Sequence, residues 1–155
     1  GYYWWRRRQG KSLLPQREEQ KRPAHELALE ELQQLRASDL LQRGEVKSFY
    51  SILSEIVRRY IEGRYDVMAL EMTTYEVNHS LRKVENNLNA CDRARDILEA
   101  SDLVKFAKLV PPLEQGDTLI NLAEAFVETT KPVVVPVANN GSTVSEPAQV
   151  ATEAN

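Results

Sequence analysis

Cysteine, histidine and glycine are scarce in this sequence, and each shortage argues against a class of site. The chain has one cysteine, Cys91, so it cannot form an internal disulfide, which agrees with a reducing compartment. It has two histidines and six glycines, and no glycine falls in a G-x-G-x-x-G or Walker pattern. Nucleotide binding of those kinds is therefore disfavoured.

Long apolar runs are also missing. No stretch approaches the roughly 18 apolar residues of a membrane-spanning helix, so we expect nothing in this sequence to cross a bilayer by itself. The first residues do not match a signal peptide, because the arginines follow the apolar residues, whereas a signal peptide has its charges first.

Aromatic rings followed at once by basic residues form the N-terminal stretch. Indole and phenol rings prefer the lipid headgroup layer, and arginines mark the cytoplasmic side of a span. The chain has no initiator Met, and we expect it to derive from a longer protein cut just after a membrane span. The predicted membrane-interface residues are Tyr2, Tyr3, Trp4, Trp5, Arg6, Arg7, Arg8 and Lys11.

Charge divides the chain into three parts. Residues 1–22 carry a net charge of +5, residues 23–131 carry −6, and residues 132–155 carry −2. A basic stem is attracted to anionic headgroups by about 1 kcal/mol per nearby basic side chain. The acidic body lacks the basic footprint that phosphate binding needs, so nucleic acid is a poor partner. We predict a juxtamembrane stem, a helical cytoplasmic domain and a disordered C-terminal tail, respectively.

Apolar residues at helical spacing predict an all-α fold, a compact bundle of about five helices flanked by disordered tails. Gly63 is the expected left-handed stop of the second helix. Thr73 and Glu76 match a capping box that opens the third, and Asp102 is expected to cap a short segment after the fourth. The predicted helical ranges are 23–37, 46–61, 74–88, 90–100, the short segment 103–109, and 113–130.

The buried stripes of these helices predict the core. The second helix has the strongest stripe, and the last helix contributes a second large aromatic side chain. We expect the core to be anchored by Phe49, Leu53, Ile56, Val57, Tyr60 and Phe126, and the third helix to bury Val77, Leu81, Val84 and Leu88.

Several separated blocks of the sequence occur together in the order found in one group of bacterial proteins. The blocks are HELALEEL at 25–32, FYSILSEIVRRYIEGRY at 49–65, ALEMTTYE at 69–76, DLVKFAK at 102–108 and FVETTKP at 126–132. Over about residues 24–132 the chain resembles the cytoplasmic C-terminal domain of bacterial inner-membrane proteins similar to the aerotolerance (Bat) group. The resemblance implies association with MoxR-class AAA+ ATPases and von Willebrand A-domain proteins, and it brings no catalytic residues.

Two partial metal motifs occur. His25 and Glu26 begin like the His-Glu-x-x-His motif of zinc proteases, but Leu29 stands where the second histidine must be. Glu76 and His79 form a Glu-x-x-His element of the kind that di-iron bundles use, yet such bundles need two copies. We therefore predict no metal site and no cofactor.

The remaining reactive side chains favour a non-catalytic domain. Cys91 lies on the apolar stripe of its predicted helix, which favours a buried inert thiol over a nucleophile. The carboxylates are interleaved with Lys and Arg, a pattern typical of solvated helix faces. The leading hypothesis is thus a membrane-tethered cytoplasmic protein-interaction domain, adaptor or regulatory, without catalytic activity of its own.

Two alternatives stay open. The first three helices could form a helix-turn-helix-like tri-helical core of a membrane-bound regulator that binds nucleic acid through Asn78, Arg82 and Lys83. Glu76 and Glu85 on the same helix, and the acidic body, oppose this hypothesis. An enzyme with an unfamiliar site is the third hypothesis, which a deep pocket holding carboxylates with shifted pKa values, or holding His79, would favour.

Overall fold

Residues 22–133 are described by a computed structural model of the chain. Within that range the protein is all-α, as predicted, with no strand. The predicted stem and tail lie almost wholly outside the described residues. The elements are α1 (Ala24–Ala37), α2 (Val46–Tyr65), a 3-10 turn (Ala69–Glu71), α3 (Thr74–Val84), α4 (Leu88–Ala107) and α5 (Leu113–Thr130).

Helices α1 and α2 form an antiparallel pair. Arg59 Nη1 of α2 donates to both carboxylate oxygens of Glu31 in α1, at 2.6 and 2.7 Å. Gly63 lies against Ala24, so the start of α1 meets the end of α2. The chain therefore enters the described fold at the C-terminal end of α2.

Helix α5 runs parallel to α2. Gly116, near the start of α5, lies against Phe49, near the start of α2. At the other end the Tyr60 hydroxyl lies 2.8 Å from Thr130 Oγ1. The described chain thus enters and leaves at the same end of the bundle, and the α4–α5 connection lies at the opposite end.

The predicted core is confirmed. All six anchor side chains are buried, and the Tyr60 ring packs edge-on against Phe126 with 5.5 Å between ring centres. The fourth and last helices also contribute buried side chains: Cys91, Ala94, Ile97, Leu98, Leu119, Ile120, Ala123, Phe126 and Val127.

The prediction for Gly63 is wrong. Helix α2 continues through it to Tyr65, and the left-handed residue is Asp66, with φ 63°. A Cβ atom on Gly63 would lie 2.8 Å from the Cβ of Ala24. Glycine is used here because it allows α1 to approach α2 closely, rather than to end a helix.

Helix α3 begins as predicted. Thr73 Oγ1 accepts from the Glu76 N–H at 3.1 Å, and Glu76 Oε1 accepts from the Thr73 N–H at 2.9 Å, which completes the capping box. Val77 and Leu81 are buried, as expected.

The predicted stripe of α3 does not extend further. Val84 and Leu88 are about half exposed, because α3 ends at Val84 and the chain turns before Leu88 opens α4. Helix α3 packs chiefly against α4, whereas the helix-turn-helix-like arrangement needs it to pack against α1 and α2.

The fourth helix is longer than predicted. Asn87 caps it by accepting from the Ala90 N–H at 3.1 Å, and the helix then runs without a break to Ala107. Asp102 is therefore an interior helix residue and not a cap. Its carboxylate accepts from the Thr74 hydroxyl of α3, whereas the side chain of a capping residue accepts from a nearby backbone N–H.

Candidate functional site

A cleft of about 750 Å³ opens between α2, the 3-10 turn, the start of α3 and the end of α4. Helix α2 lines it with Ser51, Ser54, Glu55 and Arg58. These positions are spaced i, i+3, i+4 and i+7, so they share one face of the helix. That face is polar and lies beside the buried stripe.

Arg58 forms the floor of the cleft and is 9% exposed. Its Nε donates to Ser54 Oγ at 3.2 Å, and Nη2 donates to Thr74 Oγ1 at 3.1 Å. Its Nη1 donates to the backbone oxygens of Ala69, at 2.9 Å, and Met72. One guanidinium thereby ties α2 to the 3-10 turn and to the first residue of α3.

Thr74 connects this arginine to α4. Its hydroxyl accepts from Arg58 and donates to Asp102 Oδ2 at 2.6 Å. Burial lowers the pKa of Arg58, and the charge of Asp102 opposes that shift. The guanidinium stays charged, because arginine does not lose its proton in proteins. The result is a charged hydrogen-bonded chain across three helices.

Lys105 also lines the cleft, one turn of α4 after Asp102. Burial lowers the pKa of Lys105; Arg58 and Lys47 lower it further, while Asp102 and Glu55 raise it. No carboxylate oxygen in residues 22–133 lies within 4.0 Å of the ammonium. The cleft thus holds a half-buried cation that has no ion pair in the described part of the chain.

Exposed apolar side chains flank the cleft and continue past the end of α4. Phe106 and Leu70 both line the cleft, and Phe106 is 75% exposed. Helix α4 ends at Lys108 in a left-handed conformation, with the Leu109 N–H bonded to the Leu103 oxygen at 3.1 Å. We call this set the apolar rim: Leu70, Leu103, Phe106, Leu109 and Val110.

The connection after α4, which carries Leu109 and Val110 of the rim, has a constrained backbone. The bond from Leu109 to Leu103 closes the helix end, and Pro111 and Pro112 then restrict the backbone to extended conformations. The backbone beneath these two side chains is therefore fixed before any partner arrives, which lowers the entropy lost on binding.

The predicted membrane-interface residues, Tyr2 to Arg8 and Lys11, all lie outside the described residues. Of the metal candidates, His25 is half-buried at the start of α1, and its Nδ1 has no hydrogen-bond partner among residues 22–133. In this part of the chain no three His, Cys, Asp or Glu side chains converge into a metal-binding group.

The Glu-x-x-His pair and the cysteine are occupied by other contacts. The Glu76 carboxylate caps α3, and the exposed His79 ring stacks on Tyr75 with 6.2 Å between centres. Cys91 is buried, with its Sγ 3.7 Å from the backbone oxygen of Glu85. Burial raises the pKa of Cys91, so its thiolate form is disfavoured at neutral pH.

The predicted base-reading residues of α3 do not form a free basic face. Arg82 donates to Asn78 Oδ1 at 3.2 Å and pairs with Asp92 of α4. Lys83 is exposed. Base contact would require Arg82 to give up both partners, which counts against the nucleic-acid alternative.

Sequence reasoning missed the cleft. Arg58 stood only within the 49–65 block of the family resemblance, and Asp102 was assigned to a cap. One signal was present: Ser51, Ser54, Glu55 and Arg58 repeat at helical spacing directly beside the apolar stripe. The spacing does not indicate which other elements pack beside this polar face of α2.

No family model, curated protein or solved structure matches this chain. Within residues 22–133, none of the helices is long and apolar enough to cross a membrane.

Proposed function

We propose that this chain is a membrane-tethered cytoplasmic interaction domain, adaptor or regulatory in role, that binds protein partners at the inner face of a bacterial membrane. The observation that carries the proposal is the apolar rim. Large apolar side chains that stay exposed beside a polar cleft are typical of protein-binding surfaces. Phe106 and Val110, each 75% exposed, are its most accessible members.

The position of the rim supports the same role. The stem would join the body at Arg22, beside the C-terminal end of α2, whereas the α4–α5 connection lies beside its N-terminal end. Helix α2 has 20 residues, so these ends are about 30 Å apart. A domain anchored through its stem would present the part of the rim at the end of α4 and on the α4–α5 connection toward the cytoplasm.

The resemblance of residues 24–132 to domains of the aerotolerance group supports a MoxR-class ATPase or a von Willebrand A-domain protein as the partner. We expect Phe106→Asp to weaken binding of such a partner by about thirtyfold, because a buried charge would replace a central aromatic contact. Isothermal titration of the full chain against each purified partner measures the change.

Leu88→Asp is the matched control, since Leu88 is exposed on α4 far from the rim. Binding should survive this substitution. Equal loss with both variants would indicate a general charge effect, and no loss with Phe106→Asp would contradict the assignment of the rim as the binding surface.

The membrane part of the proposal rests on the stem. We expect the full chain to bind vesicles of anionic lipid through the rings and arginines of residues 2–8, and to bind less as salt screens the attraction. A chain that begins at Pro23 should lose this binding, because the body carries excess negative charge. Vesicle co-sedimentation measures the binding of both chains. Binding of the full chain to neutral vesicles that equals its binding to anionic vesicles and does not change with salt would contradict the tether.

A further inference from the structure

Most charged groups of the cleft are already paired. Arg58 uses every guanidinium nitrogen within the fold, Asp102 accepts from Thr74, and Glu55 lies 3.4 Å from Arg59. Lys105 differs from them, because its side chain is partly buried and no carboxylate of residues 22–133 lies within ion-pair distance of its ammonium. An incoming carboxylate would compensate a charge that the described fold leaves without an ion pair.

An apolar wall stands next to this cation. Phe106 follows Lys105 in the chain, and its ring centre lies 5.3 Å from the ammonium nitrogen. Leu70 also lines the cleft and is 43% exposed. A ligand that reaches the ammonium therefore meets apolar side chains in the same cleft, which favours a ligand with apolar groups of its own.

We propose that the cleft binds a peptide segment of the partner in which an aspartate or glutamate stands beside a large apolar side chain. The carboxylate pairs with Lys105, and the apolar side chain packs between Phe106 and Leu70. This inference rests on the proposed function, since it names the part of a partner protein that the rim receives.

Charge in the cleft separates a carboxylate from a phosphate. Glu55, Glu71 and Asp102 also line the cleft and repel any incoming anion, so a group with two negative charges meets about twice the repulsion that a single carboxylate meets. A single carboxylate carries one negative charge, which the Lys105 ammonium alone can balance. The lining therefore favours an acidic peptide over a phosphopeptide or a nucleic acid.

The test compares two short peptides with blocked ends, acetyl-Leu-Asp-Leu-Phe-amide and acetyl-Leu-Asn-Leu-Phe-amide. Binding to the full chain is followed by amide chemical shifts in an NMR titration. We expect the aspartate peptide to bind about tenfold more tightly than the asparagine peptide, and to shift the signals of residues at the cleft.

Two variants locate the effect. Lys105→Met should remove the preference for aspartate and leave asparagine-peptide binding unchanged, whereas Lys83→Met, at an exposed lysine of α3, should leave the preference intact. Far-ultraviolet circular dichroism confirms that each variant is folded.

Equal binding of the two peptides, with shifts at Phe106 and Leu70, would overturn the carboxylate inference and leave the rim as a protein-binding surface. A preference that survives Lys105→Met would overturn it also. Tighter binding of inorganic phosphate than of the aspartate peptide would overturn the peptide assignment. The Phe106→Asp titration tests the proposed function separately.

Discussion

Replacing Arg58 by methionine is expected to lower the free energy of unfolding by about 3 kcal/mol. Methionine replaces only the unbranched apolar stem of the arginine side chain, so the loss comes from the guanidinium. Without it, the backbone oxygen of Met72 loses its donor inside the fold, and the backbone oxygen of Ala69 keeps only the Met72 N–H. Each buried acceptor left without a partner costs about 1–3 kcal/mol.

The effect should also reach α3 and α4. Thr74 would lose the donor that orients its hydroxyl, and Asp102 would lose the cation that offsets its charge. We expect urea unfolding to report the loss as a lower midpoint, with faster amide exchange in residues 69–76 than elsewhere.

Arg43→Met is the matched control. It makes the same chemical change in an exposed side chain that pairs with Asp39. We expect it to lower the free energy of unfolding by less than about 0.5 kcal/mol. Arg58→Lys should also destabilise, since one ammonium cannot reach acceptors on three elements. A loss at Arg58→Met no larger than that of the control would contradict the structural role of Arg58.

Replacing Leu53 by alanine is expected to lower the free energy of unfolding by about 2–5 kcal/mol. Leu53 is 0% exposed at the middle of α2, the helix that contacts every other helix of the described fold. Its removal deletes buried methyl groups and leaves a cavity between helices that can close only in part.

Leu88→Ala provides the comparison, because it removes the same atoms from a side chain that is more than half exposed. Its expected cost is within about 0.5 kcal/mol. Thermal and urea unfolding of the two variants under one set of conditions give the difference. A cost below about 0.5 kcal/mol at Leu53 as well would contradict the assignment of the core.

The sequence by itself determined the all-α class, the starts of most helices and most of the core. Phe49, Leu53 and Tyr60 recur at helical spacing, and this periodicity depends only on the need to bury apolar surface on one side of a helix. The start of α3 was equally readable, because Thr73 and Glu76 bond to each other's backbone within a single turn. Such signals are local, so they can be read from the order of residues.

The tertiary structure alone decided which contacts the polar and special residues make. Asp102 continues α4 instead of capping a helix, because Thr74 reaches its carboxylate from another element. Gly63 stays inside α2, since its missing Cβ gives room to α1. Arg58 becomes the floor of a cleft only when the 3-10 turn places two carbonyl oxygens beside it. Each of these roles depends on a partner distant in the chain, and helical spacing carries no information about that partner.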